Sequence, residues 1–188
     1  MSIVTLFHYP KKVVAAKPLI SFISDIKKGK HEFSVERMRD MYLRELDTQF
    51  DLERRQLPKF SIAGNFKSDN HHLELITYSG YLFFEIKYLR PRDLEYVNSL
   101  LRRNPYVFAS FKNTLGQGIC WILKTEVEIE NHAKIFRRAY RYFEKKLNRK
   151  RISKEGLEIQ HLCQMSFDPK THVNIACIPF PLRGHIKY

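Results

Sequence analysis

The apolar positions of the chain switch between a period of two and a period near 3.6, and each switch marks an element. Ile3 to Phe7 is a short apolar run that predicts a strand, followed by a loop at Tyr9-Pro10-Lys11-Lys12. Leu19, Phe22, Ile23 and Ile26 then recur at helical spacing, and Gly29 stands where a left-handed residue would end that helix. Ser34 is placed to cap a second helix, with Val35, Met38, Met41, Tyr42 and Leu46 on its apolar face and Arg37, Arg39 and Arg44 over much of the remainder. After Leu57-Pro58 the pattern becomes strand-like over Phe60 to Phe66, Leu73 to Tyr78 and Tyr81 to Tyr88, broken at Ser68-Asp69-Asn70 and Ser79-Gly80.

Pro91 suits a first helical position, since its missing N–H would have no partner there. Leu94, Val97, Leu100 and Leu101 form the stripe that follows, and Asn104-Pro105 stops it. Strands over Tyr106 to Phe111 and Ile119 to Lys124 flank a turn through Gly116-Gln117-Gly118. A long helix is expected from about Glu130 to Leu147, with Ala133, Phe136, Tyr140, Phe143 and Leu147 on one face and a mostly basic far side. A last strand covers Leu162 to Phe167 and ends at Asp168-Pro169; from Thr171 onward no period is legible. Hairpin-like strand pairs interleaved with helices predict an α+β fold, a mainly antiparallel sheet covered by helices. The whole, residues 1–188, reads as one domain: an N-terminal strand and helical extension over 1–56, a core over 57–175 and an irregular tail over 176–188.

Charge changes this picture. The chain carries 33 Lys and Arg against 20 Asp and Glu, a net +13, and its pI is about 9.7. Basic side chains gain free energy by displacing the counterions condensed on nucleic-acid phosphates, so a polyanion is the natural partner. Lys145, Lys146, Arg149, Lys150 and Arg151 cluster at the end of the long helix, where cations also suit its dipole. That placement fits equally a phosphate grip and a solvated helix end. Cys120, Cys163 and Cys177 are odd in number and lack CxxC spacing, which disfavours both zinc and a disulfide framework and makes a reducing cytoplasm the simplest setting. No apolar stretch approaches membrane-spanning length, so no membrane partner is expected.

Other candidates carry less. His71-His72 lacks a second ligand pair, and His8, His132, His172 and His185 are uninformative by sequence. Tyr81, Tyr88, Tyr106 and Trp121 fall near the expected cleft and are candidates for stacking on bases. Cys120 has no identifiable His or Asp partner and reads as a buried, inert thiol.

Four stretches carry a family resemblance: QLPKFSIAGNF, YSGYLFFEIKYL, PYVFASFKNTLGQGICWILK with the helix ENHAKIFRRAYRYFEKKL, and GLEIQHLCQMSFDPKTHVN. In order and spacing they resemble the VirE N-terminal-type domain, a primase-like branch of the archaeo-eukaryotic primase superfamily found on mobile elements and commonly fused to a helicase-like ATPase. The resemblance implies a primase-like, RRM-like core. It also implies a strand ending in two alternating metal-binding aspartates, a Ser-Gly-x-Gly turn followed by a basic residue at the nucleotide phosphates, and an acid followed shortly by an arginine. At these positions stand Glu85 and Lys87, Leu115-Gly116-Gln117-Gly118 after Asn113, then Cys120, Glu158 and His161. Alternation puts both first-motif side chains on one sheet face, where Lys87 places a positive charge that repels a divalent metal by several kcal/mol at about 4 Å and an effective dielectric near 20. Cys120 lacks the expected cation, and His161 cannot make an arginine's bidentate phosphate contact.

The pattern of replacements predicts a vestigial catalytic centre with no cofactor, and a nucleic-acid-binding module, with DNA the expected partner, serving replication or mobilisation of a mobile element. Its nucleotide loop would be Asn113, Gly116 and Gly118. A rival expectation is an active primase or nucleotidyltransferase that uses Glu85 and Glu158 with Mg or Mn. A third is a protein-interaction module for a separately encoded helicase-like ATPase.

Overall fold

The computed structural model describes residues 2–9, 12–69, 72–148 and 151–184. Its elements run β1 (Ile3–His8), β2 (Lys12–Pro18), α1 (Leu19–Lys28), α2 (Glu32–Leu43), α3 (Asp47–Gln56), β3 (Lys59–Ser61), β4 (Gly64–Asp69), β5 (His72–Tyr78), β6 (Tyr81–Ile86), α4 (Pro91–Arg102), β7 (Val107–Lys112), β8 (Ile119–Lys124), α5 (His132–Lys146), β9 (Leu162–Gln164) and β10 (His172–Val173). Two four-stranded sheets form, in the orders β2-β1-β3-β9 and β10-β7-β8-β6, and β4 pairs with β5 in a separate ribbon. Every pairing between these strands is antiparallel, so the fold is α+β as expected.

The period of two sorts the central β6 and β8 residues between two cores. Leu82, Phe84 and Ile86 of β6, with Ile119, Trp121 and Leu123 of β8, face α4 and α5. Phe83, Cys120 and Ile122 point the other way, toward Phe60 and Cys163 of the first sheet, the flanking Ile62 and Met165, and Phe22, Ile23 and Ile26 of α1. The order of layers is helix pair, sheet, then sheet with α1. The α1 cap is as expected: Gly29 has φ 74°, and its N–H bonds the Ile26 carbonyl. Pro91 occupies the first turn of α4.

Several expectations need correction. β2 was not expected; as the outer strand of its sheet it leaves Val13 and Val14 exposed, so no alternation marks it. α3 was not expected either, since it buries only Glu53 and has no apolar stripe to read. The cap position of α2 belongs to His31, with Ser34 inside its first turn, and Leu46 is exposed at the start of α3 rather than on the α2 core face. Phe60 to Phe66 is two strands, because Ile62 and Ala63 carry the chain from the first sheet into the β4–β5 ribbon. The strand expected over Leu162 to Phe167 stops at Gln164 as β9, the Ser166 hydroxyl instead bonds the Lys112 carbonyl, and a further short strand, β10, follows where no period is legible. On α5 the buried face is His132, Ile135, Phe136, Ala139, Tyr142 and Phe143, so Ala133 and Tyr140 lie at its margin.

Residues before 57 and after 175 belong to the same body. β1 pairs with β3, Val4 and Phe22 are fully packed, and Phe180 stacks edge-on to Tyr106 at 5.2 Å. Among the described residues, no helix is long and apolar enough to cross a membrane.

Candidate functional site

A cleft opens between the two sheets, beside β9, α2 and α3. This cleft, about 410 Å³, is walled by β6 and β8 through Glu85 and Cys120, by Cys163 of β9, by Met38 and Tyr42 of α2, and by the loops carrying Lys87, Asn113, Glu155 and His161. Glu85 of β6 and Lys87, the residue just past the strand's end, face the same cleft, as their spacing predicts. The antiparallel register sets Glu85 opposite Cys120.

The charges inside are paired rather than opposed. Lys87 Nζ lies 3.7 Å from Glu85 Oε2, and 3.0 and 3.2 Å from the two Glu155 carboxylate oxygens. Asn113 Nδ2 donates to Glu85 Oε1 at 2.9 Å. Burial pushes the Glu85 carboxyl above its ordinary value, and the Asn113 hydrogen bond and the Lys87 charge pull against that rise. At Glu155 burial also pushes upward, but the Lys87 hydrogen bond and charge prevail and hold it below the usual carboxylate range. For Lys87, burial would favour the neutral amine, yet the two glutamates win and raise it. The ammonium is therefore locked on. His161 lies face to face with Phe83 at 5.3 Å, and burial, helped by Lys87 and Lys59 against the pull of Glu155, lowers the pKa of its ring. Cys120 is buried and burial pushes its thiol well up, which disfavours the nucleophilic thiolate.

The cleft thus gathers Glu85, Lys87, Asn113, Cys120 and His161, but not Glu158, which is exposed and is not among the lining residues. Gly116 and Gly118 shape the β7–β8 turn without lining the cleft. Gly116 has φ 73° and rests against the Arg39 guanidinium, while a Cβ on Gly118 would collide with the Ile86 carbonyl and the Asn113 amide. Arg39 holds that turn, donating to the carbonyls of Thr114 (3.0 Å), Asn113 (3.2 Å) and Phe167 (3.0 Å). Of the four candidate stacking aromatics, Tyr106 and Trp121 are buried against the helix layer and Tyr81 is packed on Phe108. The parity of β8 decides this for Trp121, which must point away from Cys120. Tyr88 alone of the four is a cleft-lining side chain with open exposure, on a strained backbone at φ 58°.

Three residues escaped sequence reading. Glu155 is the main partner of Lys87 from nearly seventy residues away, and no local signal marks it. Arg39 looked like one of several surface arginines. His132 is buried, its ring between the Tyr78 hydroxyl (2.9 Å from Nδ1) and the Gly156 carbonyl (3.1 Å from Nε2). A carbonyl only accepts, so Nε2 carries the hydrogen and the Tyr78 hydroxyl donates to Nδ1. Of the basic cluster, Lys145 and Arg151 are exposed and Lys146 is half-buried, whereas Arg149 and Lys150 lie outside the described residues. Among the described residues, no group of three His, Cys, Asp or Glu side chains is arranged to hold a metal ion.

No curated protein and no solved structure matches the chain. Residues 53–172, from the end of α3 through β10, match the family model of the BT4734-like N-terminal domain, a span that includes Glu85, Lys87, Asn113, Glu155 and His161. On that match over most of its length, the chain belongs to the BT4734-like N-terminal domain family.

Proposed function

We propose that this domain is a non-catalytic nucleic-acid-binding module on a primase-polymerase-like scaffold, acting in the replication or mobilisation of a mobile element. The observation that carries the non-catalytic part is the Lys87 ammonium, seated between the Glu85 and Glu155 carboxylates. Two-metal phosphoryl transfer needs paired carboxylates free to clamp divalent cations on both reacting oxygens. Here a tethered cation already sits between them and offsets one of their two charges, and a divalent ion placed beside it would meet a like charge at close range. The nucleic-acid part is supported by the net charge of +13. A separately encoded helicase-like ATPase as partner follows from the resemblance to VirE N-terminal-type domains, and a tagged-domain pull-down that recovers an ATPase after nuclease treatment is its check.

The test is nucleotide incorporation on a single-stranded template with Mg or Mn, run beside salt-titrated binding to labelled DNA. Binding without incorporation is expected. Incorporation abolished by Glu85→Ala would overturn the non-catalytic reading, and absence of salt-sensitive binding would overturn the nucleic-acid reading.

A further inference from the structure

The outer face of α5 is a second concave surface, on the opposite side of the β7–β8 layer from the cleft. Lys134, Arg137, Arg138, Arg141 and Lys145 line a groove of about 560 Å³ together with Tyr142 and Leu182. At 100° per residue these five side chains fall within an arc of about 100°, and they span about 16 Å along the axis. The helix's one acid, Glu144, lies beyond the edge of that arc, next to Tyr140. Lys134, Arg137, Arg141 and Lys145 are exposed, while Arg138 is turned inward and donates to the carbonyls of Leu182 (3.0 Å) and Gly184, fixing the C-terminal segment as the groove's wall.

From this geometry we infer that α5 is the nucleic-acid contact of the domain, a backbone-tracking surface for duplex DNA; the inference rests on the nucleic-acid reading above and gives its contact a place on the fold. One strand of a duplex presents a phosphate about every 3.4 Å of axis, so a 16 Å stripe faces about five of them. Guanidinium and ammonium groups at successive turns meet that row without needing any base. A protein partner would require an apolar or aromatic centre, and no exposed large hydrophobic side chain lies on α5. A membrane surface would require the helix to present its apolar face, which is packed against the sheet. Single strands are gripped through exposed stacking aromatics, and the one ring in this groove, Tyr142, is buried and packed against Phe143 and Phe180.

The test measures fluorescence anisotropy of a labelled mixed-sequence 30-base-pair duplex between about 50 and 300 mM salt. It compares the full chain, the triple variant Lys134→Ala/Arg137→Ala/Arg141→Ala, the triple arginine-to-lysine and lysine-to-arginine exchange at the same sites, and the cleft pair Lys59→Ala/Lys87→Ala. Far-UV circular dichroism confirms that each is folded. Each phosphate contact contributes about 0.9 to the slope of log K against log salt, so the alanine triple should lower the slope by about 2.7. The charge-preserving triple and the cleft pair should keep the parent slope. A parent slope retained by the alanine triple overturns this assignment while leaving the nucleic-acid function standing. No salt-dependent binding by the parent chain overturns both. Equal affinity for polyglutamate, lost in the alanine triple, would assign the face to an acidic protein instead of DNA.

Discussion

His132 and Lys87 show how single side chains set the behaviour of the molecule. Burial lowers the His132 pKa below its ordinary 6.5, and the same direction holds at His31, His161 and His172. The unfolded chain therefore binds more protons than the folded one below pH 6.5, and the fold loses stability as pH falls through that range, while above it the term vanishes. Melting temperature should fall from pH 7 toward pH 5, and His132→Gln, which keeps one donor and one acceptor for Gly156 and Tyr78, should flatten part of that fall. Lys87→Met should have a small stability cost, about 1 kcal/mol or less, because the Lys87 and Glu155 side chains are 39% and 48% exposed. Its larger effect is electrostatic. With the ammonium gone, the Glu85 carboxyl, only 13% exposed, should titrate at a higher pH still, and Glu155 should lose its depression; carboxyl-carbon NMR titration reads both. The Glu85–Lys87 pair was visible from alternation, but its charge balance was not, since Glu155 enters from a distant loop.

The elements were legible in proportion to how one-sided they are. α1, α4 and α5 each bury an apolar stripe, and α1 and α4 also carry stop signals, Gly29 and Asn104-Pro105, so their spacing marks them. α3 and β2 bury almost nothing, so their existence depends on neighbours rather than on their own residues. The β7–β8 turn shows a further limit. Its glycines are plain in sequence, yet one serves a left-handed conformation and the other a close approach to β6. Gly118→Ala should cost about 1–3 kcal/mol in urea unfolding by forcing the Ile86 carbonyl and Asn113 apart, and it should weaken the Asn113 hydrogen bond to Glu85. Gly184→Ala, with nothing near its Cβ, should cost only the strain of its left-handed φ of 85°, about 1 kcal/mol.

At the scale of the whole molecule, the family match covers less than the folded unit. Residues 53–172 alone would leave β3 without β1, strip α1 from Phe60, and remove Phe180 from Tyr106 and Tyr142. Loss of a single buried phenylalanine costs about 3–5 kcal/mol, comparable to the stability of many domains. A 53–172 fragment should therefore lack cooperative thermal unfolding, while residues 2–184 should unfold in one transition by circular dichroism. By itself the sequence determined the α+β class, the antiparallel pairings of neighbouring strands, the strongly basic surface and the shared face of Glu85 and Lys87, because these follow from local periodicity and summed charge. Tertiary structure alone decided that Lys87 bridges Glu85 and Glu155, that Trp121 and Tyr106 are core, that Glu158 stays outside the cleft and that α5's cations line one groove with the chain's C-terminal segment. Each of these depends on which distant segments the packing brings together, and one-dimensional spacing does not encode that.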